Sequence, residues 1–167
     1  MKEAIEEIAQ DRYTKIVIIA AKGNIFCAGH NLKEMTEARS NNDKGRNYFE
    51  KLFNSCSELM QSIVNCPIPV IAEIDGIATA AGCQLVASCD LALASESSSF
   101  ATPGVNLGLF CSTPMVALSR NVKKKDAMKM LLTGEMIDSK EAKRISLIND
   151  YFSSEKLSEE VLILAKK

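Results

Sequence analysis

The sequence predicts an α/β domain, and three observations carry that prediction. Short apolar strands alternate with amphipathic helical stretches, the pattern of a sheet flanked by helices. Two strand candidates, "KIVIIAA" and "VIAEI", each lead into a turn of small residues and a helix start. No repeat, low-complexity tract or linker interrupts the 167 residues, a length that supports one full core.

The elements follow in order. "MKEAIEEIAQ" has the pattern of the back half of a helix, and Lys15 to Ala21 reads as a buried strand. Gly23 breaks that strand, and "FCAGHNLKEM" turns the chain towards a second helix. Tyr48, Phe49, Leu52, Phe53, Cys56, Leu59, Met60, Ile63 and Val64 recur at intervals of three and four, one face of a long amphipathic helix. Pro67 and Pro69 end it, because a residue before proline is pushed out of the helical region. Val70 to Ile74 is the next strand, followed by a short helix over 81–87 and the strand "LALAS". Thr113-Pro114 reads as an N-cap with proline at the first helical position. Lys123-Lys124-Lys125 reads as the solvated start of a helix, with contact to a phosphate as the alternative. Asp138 with Glu141 has the spacing of a capping box, and a last helix is expected over 155–166. Its apolar stripe runs to the final residues, which suggests a fragment or a face covered in an oligomer.

Composition narrows the function classes. Hydrophobic residues are 47% and charged residues 25%, ordinary for a globular protein. A net charge of −1 argues against a nucleic-acid surface. No apolar run is long enough to span a bilayer, and the opening residues do not read as a secretory signal. The six cysteines form no CxxC pair and His30 is the single histidine, so neither a zinc site nor a disulfide framework is expected. The cysteines read as small buried thiols in a reducing compartment.

The chemistry-bearing feature is a device used twice: a strand, a small-residue turn, then a helix start. The turns are Ala28-Gly29-His30 and Ala80-Ala81-Gly82. Small residues let a ligand approach the main chain, and amides at a helix start lack internal partners. Two such amides converging on one carbonyl oxygen would form an oxyanion hole. The alternative is that both turns merely let a helix pack on a strand. Glu34, Glu73 and Asp90 read as structural or surface acids, although Glu73 interrupts an apolar strand. Asn106 and Cys111 read as packing residues.

"FCAGHNLKEM", then "IPVIAEIDGIATAAGCQLVASCDLALASESSSFATPGVNLGL" and "LLTGEMIDSKEAKRISLIND", resemble the enoyl-CoA hydratase/isomerase (crotonase) superfamily over nearly the whole chain. The resemblance implies a crotonase-type ββα spiral of the ClpP/crotonase-like kind. It would be truncated, without the family's first strand unit and its C-terminal helices. Residues 1–138 would be the spiral core and 139–167 the start of a C-terminal helical region. The resemblance also implies action on acyl-CoA thioesters in fatty-acid and acyl-CoA metabolism. Coenzyme A would belong to the substrate, with no further cofactor and no metal. The backbone N–H groups of His30 and Ala81 would hold the thioester oxygen. Ala28 and Lys33 would meet the adenine and phosphate portion, and Ala80 and Gly82 would shape the second turn. Assembly as a homotrimer or hexamer is implied. The lack of a recognisable presequence fits the bacterial cytoplasm, with a mitochondrial location as the alternative if the start is truncated.

Departures from the family pattern bear on the reaction. The two glutamates with which the family's hydratases activate water fall on Gln84 and Gly104. An amide cannot take a proton at neutral pH, and glycine has no side chain to offer. "AGHNLKE" and "PGVNLGLFC" also resemble the methylmalonyl-CoA decarboxylase branch, whose catalytic tyrosine falls on Cys111. Weak hydration, isomerisation, decarboxylation and non-catalytic acyl-CoA binding are the alternatives these departures leave.

Overall fold

The computed structural model describes all 167 residues as two four-stranded sheets with helices packed around them. The strands are β1 (Val17–Ala20), β2 (Ile25–Cys27), β3 (Val70–Ile74), β4 (Ile77–Thr79), β5 (Leu91–Ser95), β6 (Ser99–Ala101), β7 (Ile137–Asp138) and β8 (Asp150–Phe152). The helices are α1 (Lys2–Ile8), α2 (Leu32–Ala38), α3 (Arg46–Val64), α4 (Ala81–Ser88), α5 (Ser112–Asn121), α6 (Lys124–Thr133), α7 (Ser139–Arg144) and α8 (Ser154–Ala165). One sheet has the parallel order β1-β3-β5-β8. The other is β2-β4-β6-β7, parallel except for its last pair.

The chain therefore climbs as a spiral. Each of the first three coils lays one strand in the first sheet, turns a corner within a few residues, lays one in the second, and returns through helix; the last pair reverses the order, β7 of the second sheet preceding α7 and β8 of the first. The sequence shows only the first-sheet strands. β4 and β6 are three residues each, too short for a periodic signal. Each small-residue turn accordingly follows a second-sheet strand, β2 or β4, rather than "KIVIIAA" or "VIAEI" directly.

β3 is sandwiched, which explains its unbroken apolar run. Val70, Ala72 and Ile74 enter the main core with Phe100 and Ile63, while Ile71 packs with Leu93, Leu157 and Val161 under α8. Residues 139–167 thus add β8 to the first sheet and α8 to its outer face. Glu73 shares the Ile71 side by strand alternation and accepts a hydrogen bond from Ser158 Oγ of α8.

One local expectation is corrected. Thr113 does not cap α5: the helix begins at Ser112, with Cys111 as N-cap, and Met115 N–H closes the first turn on Cys111 C=O at 3.0 Å. Pro114 falls at the third helical position, where a missing N–H still costs no helical hydrogen bond. His30 stays in the turn ahead of α2, as the sequence predicts. Asn31 is its N-cap, accepting from Lys33 N–H at 3.1 Å, so the His30 amide lies just outside the helix. Asp138 does cap α7, its side chain accepting from Glu141 N–H at 2.7 Å. The lysine run opens α6 with its side chains in solvent.

Candidate active site

β2 and β4 are neighbours, with Ile25 opposite Ile77 and Cys27 opposite Ala78. Their parallel pairing delivers both small-residue turns to the same edge of the second sheet. A Cβ built on Gly29 would lie 3.1 Å from Ala80 Cβ and 3.3 Å from Ala81 N. Thr79 Oγ1 donates to Ala28 C=O at 3.2 Å and ties the two turns together. The sequence reading did not single out Thr79; a hydroxyl residue ending a strand beside a turn is its only signal.

α4 starts on top of this junction. A Cβ at Gly82 would fall 1.8 Å from Cys27 C=O, so only glycine lets the helix sit so close to β2. Ala80 absorbs the sharp entry at φ 52°, ψ −117°, a backbone region that favours glycine. It is held there from both ends: its N–H donates to Ala101 C=O at 2.9 Å, and its C=O accepts from Gln84 N–H at 3.1 Å. The strain therefore falls on Ala80, and Ala81 is an ordinary first helical residue.

Two amides remain available at the junction. His30 N–H donates to no acceptor of the protein. Ala81 N–H, at the first position of α4, has no intrahelical acceptor. The eight-residue α4 also places its positive dipole end at Ala81. A carbonyl oxygen gaining negative charge is the group that such a pair would favour.

The side chains around the junction are neutral. Gln84 lies one turn into α4 on the face of Ala81, and it is buried with its Oε1 lacking any hydrogen-bond partner. Thr102 Oγ1 is the other buried side-chain oxygen without a partner, and nothing in the sequence distinguished it. Gly104 is no empty socket: a Cβ there would come 2.6 Å from Leu109 C=O and 2.7 Å from Cys111 Sγ. Cys111 is buried, as is Cys83, whose thiol desolvation pushes up to about 12. Burial alone lowers the His30 pKa and favours the uncharged ring.

Other candidates sit at the rim or elsewhere. Ala28 is exposed, as is Lys33 on the first turn of α2. Glu34 is taken up locally, accepting from Asn31 Nδ2 at 2.7 Å. Asp90 accepts from Val70 N–H at 2.8 Å and is a structural acid. Asn106 is exposed beside Gly134. All six cysteines are free, and no three His, Cys, Asp or Glu side chains cluster as metal ligands. No helix is long and apolar enough to cross a membrane.

Comparison with known proteins agrees with this architecture. The mitochondrial enoyl-CoA hydratase domain-containing protein 3 of Rattus norvegicus is 54% identical over 159 residues, 95% of this chain and 51% of the relative. The crystal structure of the human enoyl-CoA hydratase domain-containing protein 3 superposes with TM-score 0.90 at 48% identity, covering 99% of this chain and 63% of that one. An enoyl-CoA hydratase from Mycobacterium smegmatis gives TM-score 0.91 at 48% identity, covering 99% and 62%. The chain thus spans about half the length of the curated relatives it matches. The fold is the crotonase-type α/β spiral. The enoyl-CoA hydratase/isomerase family description matches residues 1–167, and the chain belongs to that family.

Proposed function

We propose that this chain binds an acyl-CoA thioester, with the thioester oxygen between the N–H groups of His30 and Ala81. The observation that carries the reading is the close approach of the two turns: a Cβ built on Gly29 would lie 3.3 Å from Ala81 N. Ala28 and Lys33 face the coenzyme A moiety in this reading, and Ala80 and Gly82 set the backbone that aims Ala81. Each donor of such a pair is worth about 2.7–4 kcal/mol to an enolate-like transition state.

The chemistry that fits is enolate formation without a protein carboxylate. Loss of carbon dioxide from a malonyl-type thioester is one such step. The bond from C2 to the carboxylate breaks, its electron pair moves onto the thioester oxygen, and water returns a proton to C2. Hydration by two glutamates does not fit. Gln84 carries no titratable proton, and Leu109 and Cys111 fill the space a side chain at 104 would need. That filled space also favours a second reading, a binder that holds acyl-CoA without turning it over.

The relatives' names point to mitochondria rather than a bacterial cytoplasm. Assembly as a trimer or hexamer belongs to the same proposal, supported by the exposed apolar side chains of Leu107, Leu109, Leu132 and Met136. Sedimentation as a single monomer would remove that part.

The test combines calorimetric titration with coenzyme A thioesters and mass spectrometry of incubations with 2-enoyl-, 3-enoyl- and malonyl-type thioesters. Loss of 44 mass units, carbon dioxide, supports the enolate reading. Tight binding with no product supports the binder. No binding of any thioester overturns both. Gln84→Glu alone is the informative reversal, since position 104 cannot accept its partner.

A further inference from the structure

α3 carries an apolar stripe that is buried at one end and open at the other. Met60 and Ile63 lie in the core, whereas Phe53 is 44% exposed and Tyr48 and Phe49 are half-buried. The open end is aromatic and ordered. Phe49 and Phe53 stack with centroids 6.3 Å apart and planes 19° from parallel. Tyr48 meets Phe49 edge-on at 5.6 Å, and its hydroxyl reaches Glu34 of α2 at 3.4 Å. Phe53 in turn meets the His30 ring edge-on, at 5.5 Å and 78°. The row therefore ends on the residue whose backbone N–H is half of the candidate oxyanion hole, with Leu32 exposed close by in sequence.

An acyl group held by its carbonyl at His30 N–H begins beside that ring. A saturated chain laid along the row would gain buried area only. A flat ring would gain the face and edge contacts that aromatic pairs add beyond area. The His30 ring favours its uncharged form in this setting, so it presents an aromatic edge and not a cation.

Resting on the thioester reading above, we propose that the row His30–Phe53–Phe49 is the acyl-group subsite, and that it selects a flat, aryl-type acyl group over a saturated one of the same carbon count.

The experiment titrates the chain with benzoyl-CoA, cyclohexanecarbonyl-CoA and free coenzyme A. The two acyl groups share ring size and carbon number, and the saturated ring is the more hydrophobic. Burial alone would therefore rank the saturated ester first. The expected result is benzoyl-CoA binding tighter by about 2- to 13-fold, the usual strength of an aromatic pair. In Phe53→Leu that ratio falls to 1 or below while the cyclohexanecarbonyl ester keeps its affinity, because leucine preserves the apolar contact. Phe53 is partly exposed, so this variant tests the ring without emptying the core. Tyr13→Leu, at an exposed aromatic away from α3, leaves the ratio unchanged. Equal binding of the two esters, or a preference that survives Phe53→Leu, overturns the subsite while leaving thioester binding intact. Failure of every thioester to bind overturns the thioester reading and the subsite with it.

Discussion

Gly82→Ala is the sharpest test of how the site is built. The added Cβ would stand 1.8 Å from Cys27 C=O, 2.7 Å from the carbonyl carbon and 2.9 Å from Cys27 Cβ. A carbon and a carbonyl oxygen settle no closer than about 3.3 Å, so α4 must retreat from β2 by about 1.5 Å. The obstacle is the backbone of a strand paired to β4, which cannot swing aside as a flexible side chain can. Overpacking typically costs about 1–3 kcal/mol, and this contact belongs at the upper end. Replacing a glycine returns about 0.4–1 kcal/mol through the unfolded chain, leaving a net loss of about 2 kcal/mol. Urea denaturation reads it: with a slope near 2 kcal/mol per molar, the midpoint drops by about 1 M. Because Ala81 N–H moves with the helix, thioester affinity falls in the same variant. A midpoint at or above the parent's would refute the close approach and the placement of Ala81 that depends on it.

Ala80→Gly should act in the opposite direction. Relief of about 1–3 kcal/mol of backbone strain outweighs the roughly 0.4–1 kcal/mol that glycine loses through the unfolded state, so calorimetry should show Tm rising by about 2–4 °C. A lower Tm would mean that the φ of 52° is not strained. Gly104→Ala should destabilise by about 1–3 kcal/mol in the same urea assay, and adding Cys111→Ala should not restore it, because Leu109 C=O still blocks the new methyl. Full rescue by the second change would place the whole clash on the thiol. For His30 the folded pKa lies below the ordinary value of 6.5, so the unfolded chain binds more protons between the two values. Stability should therefore be intact above pH 6.5 and decline as the pH falls through the folded value, with His30→Gln flattening that part of the profile. An unchanged slope in His30→Gln would assign the decline to other groups.

Much of this was legible in the sequence, for identifiable reasons. β1, β3 and β5 announce themselves because strands covered on both faces are continuously apolar, and α3 because its stripe keeps helical spacing over most of its nineteen residues. The two turns stood out by composition, although the strands that carry them did not. Three residues that take their alignment from neighbouring coils need no pattern of their own, so β4 and β6 were invisible. The Asn31 cap is hard to see in sequence because it directly follows a small-residue turn that is itself a plausible helix entry. Glu73 could be settled only by strand alternation once α8 was in place. The state of Gly104 was beyond sequence reasoning altogether, since a missing glutamate reads the same whether its place is vacant or occupied. Here the loop through Leu109 and Cys111 has closed over it.

Thr79 and Ala28, which join the two turns, are 51 residues apart in the chain yet sit on adjacent coils. In a stack of this kind each layer touches mainly its neighbours, so stability accrues layer by layer as in a one-dimensional array. The His30–Ala81 junction belongs to the interface between the first two layers, not to either alone. Amide protons of β7 and β8 could then exchange through opening of the last layer while the junction stays closed. The site's protection against exchange would report the docking of those two coils, and a thioester bound across the seam would act as a clamp between them.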